Sequence, residues 1–375
     1  MGERILTRGA SRAAPTSIDA RAAKRDTSAI ARANSRRHAA CALALLASVS
    51  LAGLAPGHAA AQDKAPELKL TLAQSPAFPL GKAAERWAAL LGEAGGGAFA
   101  VKLYPGAVLM GRDPLREFGV LRDGGADLGV GSALMWSSEL PAFAVYALPW
   151  LAPEPRQQAA LADSADVRDK VAARAALADV VVVAVAPLGE RVLATAKGPL
   201  AAPADVSGLH VRTVAQPLIL ETLAALGIRA SAMGATDAQA AFASGTLDGQ
   251  EGMATTLAAT RITALGQRYV LRWGGQADAM VFAVRRAVWN GWDERLRERA
   301  RSAAVEAARE AAAPTREDEA LAALVKQGVT IVKPAPAQRA AFRAAVQPVW
   351  VKWTAALGTD LVQAAEAAVA ATADK

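Results

Sequence analysis

A single cysteine occurs in 375 residues, and it is Cys41. It precedes most of the apolar run 39–54, whereas the cysteine of a lipoprotein would follow such a run, so a lipid anchor is not expected. If residues 1–61 are a removable leader, the mature chain holds no thiol, which excludes disulfide staples and thiol nucleophiles. Histidine is almost as scarce. His38 and His58 fall in the same leader, leaving His210 alone. A nucleophile–base pair needs a positioned histidine beside serine or cysteine, and a metal centre needs several converging ligands. Neither pattern occurs. No glycine-rich phosphate-binding spacing is present, because Gly95-Gly96-Gly97 lacks the required intervals. After residue 62 there is no internal repeat, no low-complexity tract and no apolar run long enough to span a bilayer. No cofactor is expected.

The formal charge is +7, which at first sight suggests nucleic acid. The distribution removes that reading. Residues 1–61 hold nine Lys/Arg against Glu3, Asp19 and Asp26, so all but one unit of the net charge lies there. The rest is nearly neutral and carries no basic field for a polyanion. The run 39–54 is bounded by Arg36-Arg37-His38 and by Pro56-Gly57. It is too short for a membrane span and suits the core of a secretory signal peptide, with cleavage expected near Ala61 in Ala59-Ala60-Ala61.

The remaining length suffices for two substantial cores. Strand-like and helix-like runs alternate along it. Leu68-Lys69-Leu70-Thr71-Leu72 alternates strictly, and Ala83, Trp87, Leu90 and Leu91 then follow helical spacing up to the glycine triplet. Strands are expected at 99–104, 127–131, 279–285 and 329–332, and Asp113 is placed to cap a helix beginning at Pro114. The uninterrupted apolar run 180–186 predicts a strand buried on both faces. Thr236-x-x-Gln239 is a candidate capping box for a helix ending at Ser244-Gly245. Residues 293–327 read as two helices, or one kinked helix, around Pro314. Two terminal helices follow, with Phe342, Val346, Val349 and Trp350 on one stripe. The class is α/β with mainly parallel sheets.

Binding chemistry concentrates in residues 189–253. Gly189-Glu190-Arg191 and Gly208-Leu209-His210-Val211-Arg212 each put an arginine at the edge of a short apolar strand, and Asp248-Gly249-Gln250-Glu251 is an acidic, amide-rich turn. A guanidinium is planar, permanently charged and matched to the two oxygens of a carboxylate. At a strand end it stands where open α/β folds bind ligands. The alternative for Arg212 is a surface bridge to Asp205 or Glu221. For Arg191 it is a hinge bridge to Glu190 or Glu251.

Pro203-Ala204-Asp205-x-x-Gly208-Leu209-x-x-Arg212, then Leu226-Gly227, Met233 and Asp248-Gly249-Gln250-Glu251, resemble the solute-binding subunits of tripartite ATP-independent periplasmic (TRAP) transporters, the DctP-like family. Tyr104-Pro105-Gly106 through Leu109-Met110-Gly111, Asp127 to Trp136 and Ala147-Leu148-Pro149-Trp150 extend the likeness over nearly all the chain after residue 62. The resemblance implies a two-lobed fold with mostly parallel sheets, hinge strands crossing near Leu188, Asp278 and Glu317, and a long helix spanning both lobes. It assigns 62–188 with 278–317 to lobe I and 189–277 with 318–375 to lobe II. It implies a periplasmic, monomeric receptor that delivers a carboxylate-bearing organic acid to integral membrane permease subunits. Arg212 matches the carboxylate-binding arginine of the family, and Arg191 a second arginine. Glu251, Trp273, Gln74, Ser132 and Trp136 are further ligand-binding candidates by position, and Asp248 reads as structural. Gly252-Met253 departs from the usual Asn-Pro, and Ala235 replaces a common aromatic, so a roomier wall and a bulkier acid are expected. A sensor subunit of a signalling system, or an enzyme using His210, are the alternative functions.

Overall fold

Ten strands share one continuous sheet, and two of them join its halves. In the computed structural model, residues 65–311 and 314–372 are described. The leader, with Cys41, His38 and His58, lies outside them. The strands are β1 (Glu67–Thr71), β2 (Ala100–Tyr104), β3 (Leu128–Ser132), β4 (Val180–Thr195), β5 (His210–Thr213), β6 (Arg229–Ala232), β7 (Gly249–Met253), β8 (Tyr269–Leu271), β9 (Ala277–Arg285) and β10 (Thr330–Val332). The helices are α1 (Pro79–Gly95), α2 (Glu117–Arg122), α3 (Ala133–Trp136), α4 (Pro155–Asp163), α5 (Ala165–Ala176), α6 (Pro203–Val206), α7 (Pro217–Ala225), α8 (Ala235–Ala243), α9 (Ala254–Ala259), α10 (Arg286–Asn290), α11 (Glu294–Ala311), α12 (Pro314–Lys326), α13 (Pro336–Ala345), α14 (Gln347–Leu357) and α15 (Thr359–Ala370). The described residues belong to one unit, Gln62–Lys375.

The strand order is β2-β1-β3-β9-β4-β7-β5-β6, with β8 pairing β4 and β10. Parallel pairs form inside each half: β1 with β2 and β3, β5 with β6 and β7, and β8 with β10. Every antiparallel pair involves β4 or β9. β4 pairs β9 as far as Glu190↔Ala277 and then turns to β7 at Arg191↔Met253. Its long apolar start supplies the first half, and bulges at Val182/Ala184 and Pro187/Gly189 re-aim the chain before the second.

Local signals explain the flanking helices. α1 begins with Pro79, buries Leu80, Ala83, Ala84, Trp87 and Leu91 on one stripe, and stops at Gly96, whose φ of 57° suits glycine. The Asp113 side chain accepts from the backbone N–H of Leu115, the expected cap. The Thr236 box does not form. α8 starts at Ala235 with Gly234 as its cap, so Thr236 already lies inside the first turn, where its side chain cannot cap. The region 293–327 is carried by α11, which packs on α1 and β4, and α12, which packs on α9. Three terminal helices form instead of two. The stripe through Phe342, Val346 and Val349 is buried as expected, but the helix divides at Val346, just ahead of Pro348.

Three clusters make the core. Leu70, Trp87, Leu91, Phe282 and Ala304 fill one face of the first half. Phe118, Trp136, Phe143, Val281, Ile219, Phe342 and Leu361 form a cluster reaching into both halves. Val192, Leu257, Val270 and Leu324 fill the outer side of the second. The terminal helices cross the divide: α13 packs on α6, α14 on α7, and α15 on α4 and α5.

Candidate ligand-binding site

The parallel strands β1, β3 and β5 end near the crossing of β4, and the polar side chains converge there. Arg212 lies one residue before the end of β5, because alternation buries Val211 and Thr213 on the other face. It is half-buried. Its Nε donates to the Met233 carbonyl at 2.9 Å, and no carboxylate pairs with it among the described residues. The two acids that offered a surface bridge are engaged elsewhere. Asp205 accepts the N–H groups of Ala201 and Ala202. Glu221 accepts from Lys352 and from the Trp353 indole. Burial, partly offset by Glu251 and reinforced by Arg191, lowers the Arg212 pKa, yet an arginine remains charged. Arg212 is therefore a partly desolvated cation whose terminal nitrogens have no anion.

Arg191 is arranged oppositely. It is buried, and Glu251 grips it at both ends, Nε to Oε1 at 2.5 Å and Nη2 to Oε2 at 3.0 Å. Its Nη1 lies 3.8 Å from Asp278 Oδ2. Glu251 also accepts the Thr213 hydroxyl at 2.7 Å. Asp278 accepts the Ser132 hydroxyl at 2.6 Å and the backbone N–H of Leu134 at 3.1 Å. Burial pushes the Asp278 carboxyl up, while Arg191 and these donors pull it down. Ser132, in turn, caps α3 by accepting from the Met135 N–H. The bridge from Arg191 to Glu251 is the alternative the sequence left open. Glu190 instead takes Arg272, which also holds Glu317, each at 2.9 Å.

The other candidates divide into wall and core. Gln74 is half-buried at the exit of β1, and its enclosed Oε1 has no partner among the described residues. Trp136 is fully buried, packed against Phe118 and Phe143, and donates to Glu117 at 3.0 Å. Trp273 is also buried, edge-on to Trp150 and Phe342, with its indole N–H on the Arg191 carbonyl at 3.2 Å. Both tryptophans belong to the core. Asp248 accepts the His210 N–H and pairs with Lys197, a structural use as expected. The Thr246 carbonyl can only accept, so His210 Nδ1 donates to it and Nε2 accepts from Ser231. A Cβ added at Gly252 would meet only the Leu257 Cδ2, at 3.8 Å, so there is space beside β7.

Glu117 was not legible in the sequence, where it reads as an ordinary helix residue. Its Oε1 accepts the Ala73 N–H at 2.7 Å and its Oε2 the Trp136 indole, which ties the exit of β1 to α3. Burial without a cation raises its pKa to about 8. Gly131 is needed beside this pair, because a Cβ there would fall 2.1 Å from the Trp136 Nε1. A cavity of about 750 Å³ lies along the first half of β4, between α4, α5 and α11, but Arg212, Arg191 and Glu251 do not line it.

Two half-sheets joined by crossing strands, with an unpaired guanidinium where the parallel strands end, define a two-lobed solute-binding protein. Residues 71–356 match the family described as bacterial extracellular solute-binding protein, family 7, of DctP type, and the chain belongs to that family. Among solved structures it is similar to a TRAP periplasmic solute-binding protein of Ralstonia eutropha H16 with bound (S)-2-acetolactate. That protein is 37% identical, with a TM-score of 0.74 over 81% of this chain and 98% of the other. It is similar to one from Ochrobactrum anthropi whose C-terminus occupies its ligand pocket, at 26% identity and TM-score 0.75 over 83% and 97%. One from Chromohalobacter salexigens with bound D-glucuronate shares the fold at 24% identity and TM-score 0.72 over 79% and 99%.

Proposed function

We propose that this protein is a periplasmic receptor that captures a small organic acid through its carboxylate and passes it to the membrane subunits of a TRAP-type permease. The observation that carries this reading is Arg212, a half-buried cation at a strand end with no anion of its own. The membership of the chain in the family, and the acetolactate of its 37% identical relative, support it.

In this reading Arg212 clamps the carboxylate. Arg191, fixed by Glu251, forms a rigid wall beside it, and Gln74 Oε1 is free to accept a hydrogen bond from the acid's far end. Ser132 holds Asp278 behind Arg191, while Trp136 and Trp273 support the wall from the core. The room at Gly252 admits a branched acid. The jaws are residues 62–188 with 278–317 and residues 189–277 with the chain from 318, strapped by the terminal helices. An acid touching both jaws favours closure by the contacts made only in the closed form. Export uses residues 1–61, with cleavage near Ala61. The protein works as a monomer, without turnover and without nucleic acid. Micromolar capture corresponds to roughly −8 kcal/mol, within reach of a desolvated bidentate pair and buried apolar area.

A thermal-shift screen of organic acids identifies ligands, and calorimetry on the hits tests the site. Arg212→Ala is expected to weaken binding at least about tenfold. It should move the apo melting temperature by only a few degrees, since the side chain's single hydrogen bond is to Met233. Unchanged affinity refutes the assignment.

A further inference from the structure

The charges around the cleft define which acids it accepts, an inference that rests on the reading of Arg212 as the carboxylate clamp. Arg191 is neutralised by Glu251 in a two-point bridge, and Asp278 stands 3.8 Å behind it. Whether or not Asp278 is ionised, no positive charge is left over at Arg191. The first-half turns at the same strand ends, 73–78, 105–113 and 132–137, hold one cation, the exposed Arg112. A contact with so exposed an arginine is screened by water and contributes little.

We propose that the site selects monocarboxylates over dicarboxylates: among the described residues at these strand ends Arg212 is the half-buried cation free to take a carboxylate, and a second carboxylate finds no such partner. Removing a carboxylate from water without a partner is costly. Glu251 thus sets specificity by occupying Arg191, the cation a second carboxylate would otherwise use.

The test is calorimetry on the full mature protein with acids that differ by one carboxylate: butanoate against succinate, and 2-hydroxybutanoate against malate. Each monocarboxylate is expected to bind at least about tenfold more tightly than its counterpart. Glu251→Gln, which leaves Arg191 a charge to spare, is expected to narrow that ratio. If Glu251→Gln does not fold, the ratios of the wild-type protein decide. A dicarboxylate bound as tightly as its partner overturns the selectivity but leaves the clamp standing, provided Arg212→Ala still weakens both. A ratio unchanged in folded Glu251→Gln also overturns it. Affinities indifferent to Arg212→Ala overturn the clamp itself.

Discussion

Two arginines with similar sequence settings have opposite roles, and partner geometry decides which. Arg191 has a carboxylate at both ends of its guanidinium, whereas Arg212 has one backbone carbonyl. Sequence placed both at strand edges but could not tell which acids would reach them. The same holds for the tryptophans. Trp136, by its position in the first lobe, and Trp273, by its place at the return crossing, read as ligand contacts, and both are buried in aromatic packing. Strand position gives the neighbourhood of a side chain, and only tertiary packing gives its face. Glu117 had no signal at all, since its burial comes from segments 44 residues before it and 19 after it. It makes a prediction at this scale. Its native pKa is about 8 against an ordinary 4.5, so between those values the folded protein keeps a proton that the unfolded chain has lost. Fewer protons on the unfolded chain mean that stability falls as pH rises through this window. Burial raises Glu190 and Asp278 as well, with the same sign. The difference between wild type and Glu117→Gln isolates the one residue. Denaturation at pH 5 and 8 is expected to show wild type losing on the order of a few kcal/mol more than the variant. Parallel pH profiles would remove this role for Glu117.

At the scale of elements, β4 organises the molecule by sending consecutive residues to opposite sides. Glu190 joins Arg272 and Glu317, and Arg191 joins Glu251 and Asp278. Two ion networks thus grip the strand where it passes between half-sheets. Gly189, just before them, has a φ of 117°, and a Cβ there would fall 2.7 Å from Glu317 Oε2. That carboxylate cannot swing away freely, because it also accepts the Glu190 N–H and pairs with Arg272. Gly189→Ala is therefore expected to destabilise the protein by roughly 1–3 kcal/mol in chemical denaturation. A change under about 0.5 kcal/mol, the range of an ordinary surface substitution, would mean that the crossing of β4 tolerates a side chain. The strands themselves were legible, because the run from Val180 and the alternation of Leu68 to Leu72 are strong period signals. Helix ends were less so. The start of α8 one residue earlier than a Thr236 cap requires, and the division of the terminal stripe ahead of Pro348, depend on how the chain packs.

At the scale of the whole molecule, one sheet runs through both halves and the terminal helices strap them together. The overall architecture followed from strand–helix alternation and from the likeness of the 203–212 and 248–251 motifs to a known family. The proposed binding chemistry rests on Arg212, a guanidinium left without an anion among the described residues. A crystal structure of the protein with an organic acid from the thermal-shift screen tests this most directly. The acid is expected between the half-sheets, with both carboxylate oxygens within hydrogen-bonding distance of the terminal nitrogens of Arg212 and the Arg191–Glu251 bridge intact. An acid bound away from Arg212, or one that displaces Glu251 to pair with Arg191, would contradict this expectation.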